Sequence, residues 1–283
     1  VFQAQKISAF EYSLVHTKAF GDNVELLGNS LKNFGNLTTT EKVINADADD
    51  IKTELLKRYY PNKEERAKLA QNHTKEMEDL YKDEIKDCID ETLVYNANSK
   101  RLNNKQIIVV DEIDSVGAIF KYDNINEITA VLNFASYNNP GGNFINGSKA
   151  QEECLCHESY LYNVLKECMG YYKINHKNKN RSLYTDRALY SPNVRFTKEC
   201  KDVFCDVITC AAPNKTAAQK YCNVSDEENS KVLKERIEFV LKIAQDNGVD
   251  NLILGAYGCG VFGQDPLEVA KIFKEFLSGK YKC

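Results

Sequence analysis

The sequence predicts an α/β fold, a sheet covered on its faces by helices and preceded by a helical N-terminal segment. Three observations predict it. Apolar runs of strand length, at residues 128–134, 203–209 and 251–254, alternate with stretches of helical periodicity. The first hundred residues are instead rich in Lys and Glu, and 40–94 reads as helical. Glycine-rich turns follow two of the apolar runs, at the strand ends where open α/β sheets bind ligands.

Taken in order, the chain begins with a mixed stretch to about residue 37. Asp47 or Asp49 can cap a helix carrying Ile51, Leu55, Leu56 and Tyr59, which Pro61 ends. A second run, 64–93, places Leu69, His73, Met77, Leu80, Ile85 and Ile89 on one stripe, with its charges on a solvated face. His73 on that stripe reads as structural. Residues 107–110 and 128–134 read as strands. Residues 151–169 read as one helix with Leu155, Leu161, Val164, Leu165 and Met169 inward. A lysine-rich loop follows at 175–181. Two strand pieces flank Ser191-Pro192, and 203–209 is a buried strand. The long helix 227–245 stops near Gly248. The last helix has Asp265 as N-cap, Pro266 at its first position and Glu268 three residues after the cap, and Gly279 marks its end.

The composition narrows the function. A net charge of −4 argues against bulk attraction to nucleic acid or anionic membrane, so any anionic ligand must be held locally. No apolar run approaches the ~18 residues of a membrane span, and the first ten residues do not read as a signal peptide. Ten cysteines without a C-x-x-C pair read as reduced thiols of a cytosolic chain rather than as a metal site. Cys154, Cys156 and His157 lie close in sequence but point different ways on a helix.

The stretch that carries chemistry is Asn139-Pro140-Gly141-Gly142-Asn143, a seven-residue spacer, then Gln151-Glu152-Glu153. Ser148 and Gln151 have the spacing of a capping box, which puts both glutamates in a first helical turn. A carboxylate pair beside a glycine loop suits protonation of a glycosidic oxygen. The second loop, Gly258-Cys259-Gly260-Val261-Phe262-Gly263, matches G-x-G-x-x-G. The fingerprint also needs an acidic residue about 20 positions later on another strand, and its lack here argues against a nicotinamide dehydrogenase. A glycine loop leading to a helix N-terminus can still cradle a diphosphate. Cys259 has no histidine near in sequence. Tyr190 and Tyr257 are candidates to stack on a base.

These motifs resemble those of the microbial-type poly(ADP-ribose) glycohydrolases. The flanks Asn133-Phe134-Ala135-Ser136, Ile208–Asn214 and Gly255–Pro266 extend the resemblance over about the last two thirds of the chain. It implies a macrodomain-like mixed sheet over residues 101–283, with residues 1–100 as a helical extension packed on it. It implies Glu153 as the catalytic residue and Glu152 as the group orienting ribose hydroxyls. Gly141, Gly142, Asn143, Gln151 and Asn139 would line the substrate with the 258–263 loop, and Phe262 would pack on the distal ribose. No cofactor or metal is implied. The expected partner is ADP-ribose, as polymer or on protein, with no sequence-specific nucleic acid and no membrane. The expected state is a monomer in the cytoplasm, or in the nucleus of a eukaryotic source. Asn143 departs from the family, which has glycine there. If it adopts a positive φ it can stand in for glycine, and if it crowds the diphosphate the chain is a reader that binds ADP-ribose without cleaving it. A mono-ADP-ribosyl hydrolase is the third reading.

Overall fold

The computed structural model describes residues 62–96, 107–198 and 201–278. The helix expected to end at Pro61 and the stop at Gly279 lie outside them. Residues from Arg66 onward form one unit, and 62–65 belong to a second. In order, the elements are α1 (Lys63–Leu80), α2 (Lys82–Glu91), β1 (Leu93–Asn96), α3 (Ser115–Lys121), β2 (Thr129–Phe134), α4 (Gln151–His157), α5 (Leu161–Leu165), α6 (Met169–Lys177), β3 (Arg187–Lys198), β4 (Lys201–Cys210), α7 (Lys215–Cys222), α8 (Asp226–Asp246), β5 (Asn251–Ile253) and α9 (Pro266–Leu277).

The described strands form a mixed sheet in the order β1-β3-β4-β2-β5. β2 runs parallel to both β4 and β5, whereas β3 is antiparallel to β4 and to β1. The period of two along each strand divides the core. Val131 and Val207 face one cluster, shared with α1 to α6, and Leu132 and Ile208 face the other, shared with α8 and α9. The sheet is thus covered on both faces, and the three parallel strands end on one side. Their exits are 135–150, 211–214 and 254–265.

Several elements differ from the sequence expectation. Leu93 and Val94 continue no helix. They begin β1, so the sheet's edge strand comes from the segment read as a helical extension. Residues 107–110 form no strand and are exposed. The helix expected over 151–169 is broken by Ser159, whose hydroxyl donates to Leu155 O at 2.6 Å and accepts Leu161 N–H at 3.1 Å. Ser159 also bridges to Phe196 of β3. That break turns Met169, expected inward, out to 42 % exposure. The loop expected at 175–181 begins later, because α6 runs to Lys177. The pieces around Ser191-Pro192 are one strand, β3, with an irregularity between Ser191 and Val194 where Asn193 has φ 52°.

Candidate active site

The exits of β2, β4 and β5 enclose a cavity of about 220 Å³. Its carboxyl side is built by α4. The helix is N-capped at Ala150, not by the expected pairing of Ser148 with Gln151. Glu153, at the third position, accepts Ala150 N–H on Oε2 at 2.8 Å and Asn143 N–H on Oε1 at 2.9 Å. One side chain therefore caps its own helix and pins the glycine turn. Glu152 Oε2 accepts Ser136 N–H at 2.7 Å, and Oε1 faces the Asn133 amide at 3.2 Å. Both glutamates are buried, 3 % and 5 % exposed, yet both line the cavity. Burial pushes the Glu152 carboxyl up to about 8, against the Ser136 N–H and the Asn133 amide, which hold it down.

Gly142 explains its own identity. Its φ is 63°, and a Cβ there would lie 2.6 Å from Glu153 Oε1 and 2.9 Å from Glu152 Oε2. The two carboxyls thus converge on one backbone point that only glycine leaves open. Asn143 does not behave as expected. Its φ is −121°, an ordinary value for any residue, and its side chain faces its own turn. Nδ2 donates to Ser148 Oγ at 3.1 Å, and Oδ1 accepts from Asn146 at 2.7 Å. It neither needs a left-handed conformation nor crowds the cavity.

Gln151 also lines the cavity, but its amide serves the backbone of β2. Nε2 donates to Leu132 O at 2.9 Å and Oε1 accepts Phe134 N–H at 2.8 Å, with Ser115 as a further partner. It locks the start of α4 to the end of β2.

The opposite wall comes from the second glycine loop. Gly258, Gly260, Val261 and Phe262 face the cavity. Their N–H groups make no hydrogen bond to a described residue. The N-terminus of α9, expected to receive an anion, is already capped by Asp265, which accepts from Leu267 N–H at 2.7 Å. That leaves the loop's own N–H groups, rather than the helix end, open toward the cavity. Phe262 sits edge-on to Tyr184, whose ring stacks on Tyr137 at 4.1 Å.

Of the residues singled out in the sequence, Gly142, Gln151, Glu152, Glu153, Gly258, Gly260, Val261 and Phe262 meet at the cavity. Gly141, Asn139, Asn143, Cys259 and Gly263 lie behind it. Gly141 packs on Tyr162, and a Cβ on Gly263 would strike Thr216 Oγ1. Burial raises the Cys259 thiol to about 11, which disfavours the thiolate that a nucleophile would need. Tyr190 is turned to Asp206, away from the cavity. Tyr257 borders the cavity but is buried, its hydroxyl on Cys210 O at 3.1 Å. Ser136, through its N–H, and the small Ala135, Ala212 and Ala256 also line the cavity; in the sequence they stand only as flanks of the motifs, with no site role assigned to them. Among the described residues no group of three or more His, Cys, Asp or Glu could hold a metal, and no helix is long and apolar enough to cross a membrane.

Residues 55–199 match the family model described as microbial-type PARG, catalytic domain. Among solved structures, the chain is similar to poly(ADP-ribose) glycohydrolase from Thermomonospora curvata, with 28 % identity over 74 % of this chain and 86 % of that one and a TM-score of 0.65. The same enzyme bound to the inhibitor ADP-HPD matches at 26 % identity over 77 % of this chain and 90 % of that one, TM-score 0.63. The Deinococcus radiodurans enzyme in complex with ADP-ribose matches at 31 % identity over 69 % and 84 %, TM-score 0.62. No curated protein sequence matches.

Proposed function

The chain belongs to the microbial-type poly(ADP-ribose) glycohydrolases, glycoside hydrolases of ADP-ribose polymer, and from that premise we propose that Glu153 is its acid/base residue. The observation that carries this reading is the convergence of Glu152 and Glu153 on Gly142, facing a glycine loop with unpartnered N–H groups.

The terminal ADP-ribose unit lies across the cavity. The N–H groups of Gly260, Val261 and Phe262 take its diphosphate, and Phe262 packs on the distal ribose. Glu152 hydrogen-bonds the ribose hydroxyls. Glu153 gives a proton to the 2′-oxygen of the leaving ribose as positive charge develops at the distal anomeric carbon, beside the phosphate. The ionised Glu153 then takes a proton from the water that attacks that carbon. Glu153 carries the proton it gives, and Glu152, its carboxyl raised by burial, brings less negative charge against the diphosphate. Gly141 and Asn143 shape the turn, Asn139 borders it, and Gln151, at the cavity wall, holds α4 to β2. The natural substrate is polymer attached to protein. The eight described cysteines are free thiols, which supports action in a reducing compartment such as the cytoplasm. With Asn143 turned from the cavity, the motive for a non-cleaving reader is gone.

The test is Glu153→Gln on polymer and on a mono-ADP-ribosylated peptide. Release of ADP-ribose from polymer should fall to background, with ADP-ribose affinity within about tenfold of wild type. Some loss of affinity is expected, because the new amide sets an NH₂ against one of two N–H donors. Turnover near the wild-type rate in this variant would remove Glu153 from the chemistry.

A further inference from the structure

We propose that Asn229 and Gln264 are positioning residues, a buried amide pair that holds the second glycine loop in its ligand-binding shape before ligand arrives. This rests on the cavity being the ADP-ribose site. The two side chains exchange hydrogen bonds: Asn229 Nδ2 donates to Gln264 Oε1 at 2.9 Å, and Gln264 Nε2 donates to Asn229 Oδ1 at 3.0 Å. Gln264 Nε2 also donates to Pro213 O at 2.8 Å, and its backbone N–H goes to Gly258 O at 3.1 Å. One residue thus ties together α8, the exit of β4 and the start of the loop.

The fit is close. Gly258 has φ 75°, and a Cβ on it would lie 2.7 Å from Ala212 Cβ and 2.9 Å from Gln264 Cγ. The loop therefore lies flat on the Gln264 side chain. Neither amide lines the cavity, but Gly258 and Ala212, its neighbours on either side, do. Asn229 is wholly buried and Gln264 nearly so, and neither leaves a buried polar atom without a partner. A satisfied buried polar network selects one arrangement, where an apolar contact would allow several. That matters here because the cavity-facing N–H groups of the loop make no hydrogen bond to a described residue that would hold them. The clasp acts through loop shape, so it governs affinity and not the proton transfers at Glu153.

The experiment measures ADP-ribose binding by titration calorimetry, kcat and KM on polymer, and thermal midpoint, for wild type, Asn229→Ala, Gln264→Ala and the double variant. Asn229→Ala should raise Kd about fivefold or more and KM in parallel, with kcat within about threefold. Gln264→Ala should raise Kd about tenfold or more, and the double variant should be no worse than Gln264→Ala within about twofold, since both changes cut one tie. Lower midpoints with wild-type Kd in the folded protein would overturn the proposal. If wild type binds no ADP-ribose, the assignment of the cavity fails, and the clasp is judged by exchange of its side-chain amide protons. The same measurement decides the matter if a variant fails to fold. Slow exchange of both amides in the free protein is expected, and rapid exchange there would overturn the clasp.

Discussion

At the scale of single residues, the glycine turn shows that neighbouring positions in a motif can be constrained for different reasons. Gly142 is held by a positive φ and by two carboxyl oxygens within 3 Å of where its Cβ would stand. Asn143, one residue on, contributes an N–H to Glu153 and has an ordinary φ. The N–H is common to every residue but proline, so the family's glycine is replaceable there. Gly142→Ala should therefore lower kcat by about a hundredfold or more, because either the turn or Glu153 must move. Asn143→Gly should lower catalytic efficiency by about tenfold or less, through loss of the exposed Ser148 and Asn146 contacts, each at the low end of about 0.5 kcal/mol. Initial rates of ADP-ribose release from polymer check both, and a larger effect at 143 than at 142 would reverse the argument. The spacing in the sequence located this turn, but the reason for each glycine came only from what lies against it.

At the scale of elements, what could be read from the sequence was what local chemistry decides. Asp265, Pro266 and Glu268 open α9 as expected, and the apolar run to Phe134 is β2, the middle one of the three parallel strands. What could not be read was decided by partners distant in sequence. Leu93 and Val94 are a strand because β3 offers them a ladder, and α4 stops because Ser159 bridges to Phe196. The polar face of α8 was equally hidden. Arg236, wholly buried, is ion-paired to Asp186 at 2.6 Å and bonds Ala211 O and Leu183 O. It ties the exit of β4 to the segment carrying Tyr184. The pair is unequal, since Asp186 keeps 26 % exposure and Arg236 none. Arg236→Met leaves a carboxylate that water can reach, and should cost about 3 kcal/mol, the low end for breaking a buried pair. Asp186→Ala leaves a buried cation and should cost more. Urea midpoints of the two variants compare them, and a milder Asp186→Ala would mean the carbonyls alone satisfy the guanidinium.

At the scale of the whole molecule, a chain of net charge −4 belongs to a family that acts on a polyanion, and the cavity proposed for it holds two carboxyls. Keeping one of them protonated eases that conflict, and it ties stability to pH. The Glu152 carboxyl ionises near the ordinary 4.5 when unfolded and at about 8 when folded. Between those values the folded state holds a proton the unfolded state has lost. The stabilisation is fully present below 4.5 and is lost as pH rises through 8, by at most about 1.4 kcal/mol per pH unit. Burial raises Asp206 in the same direction, while it lowers His157, whose effect is opposite because its neutral form is favoured. The Glu152 contribution is isolated by Glu152→Gln, which imitates the protonated acid. The Asn133 amide supports either form, since turning it over places its now unpartnered Oδ1 against the proton or the NH₂. Unfolding free energy of wild type should therefore fall relative to Glu152→Gln from pH 5 to pH 8, and ADP-ribose binding by wild type should weaken above about pH 8 as Glu152 takes on a negative charge. Parallel pH profiles for the two proteins would show that Glu152 is ionised throughout, and that the cavity accepts its charge.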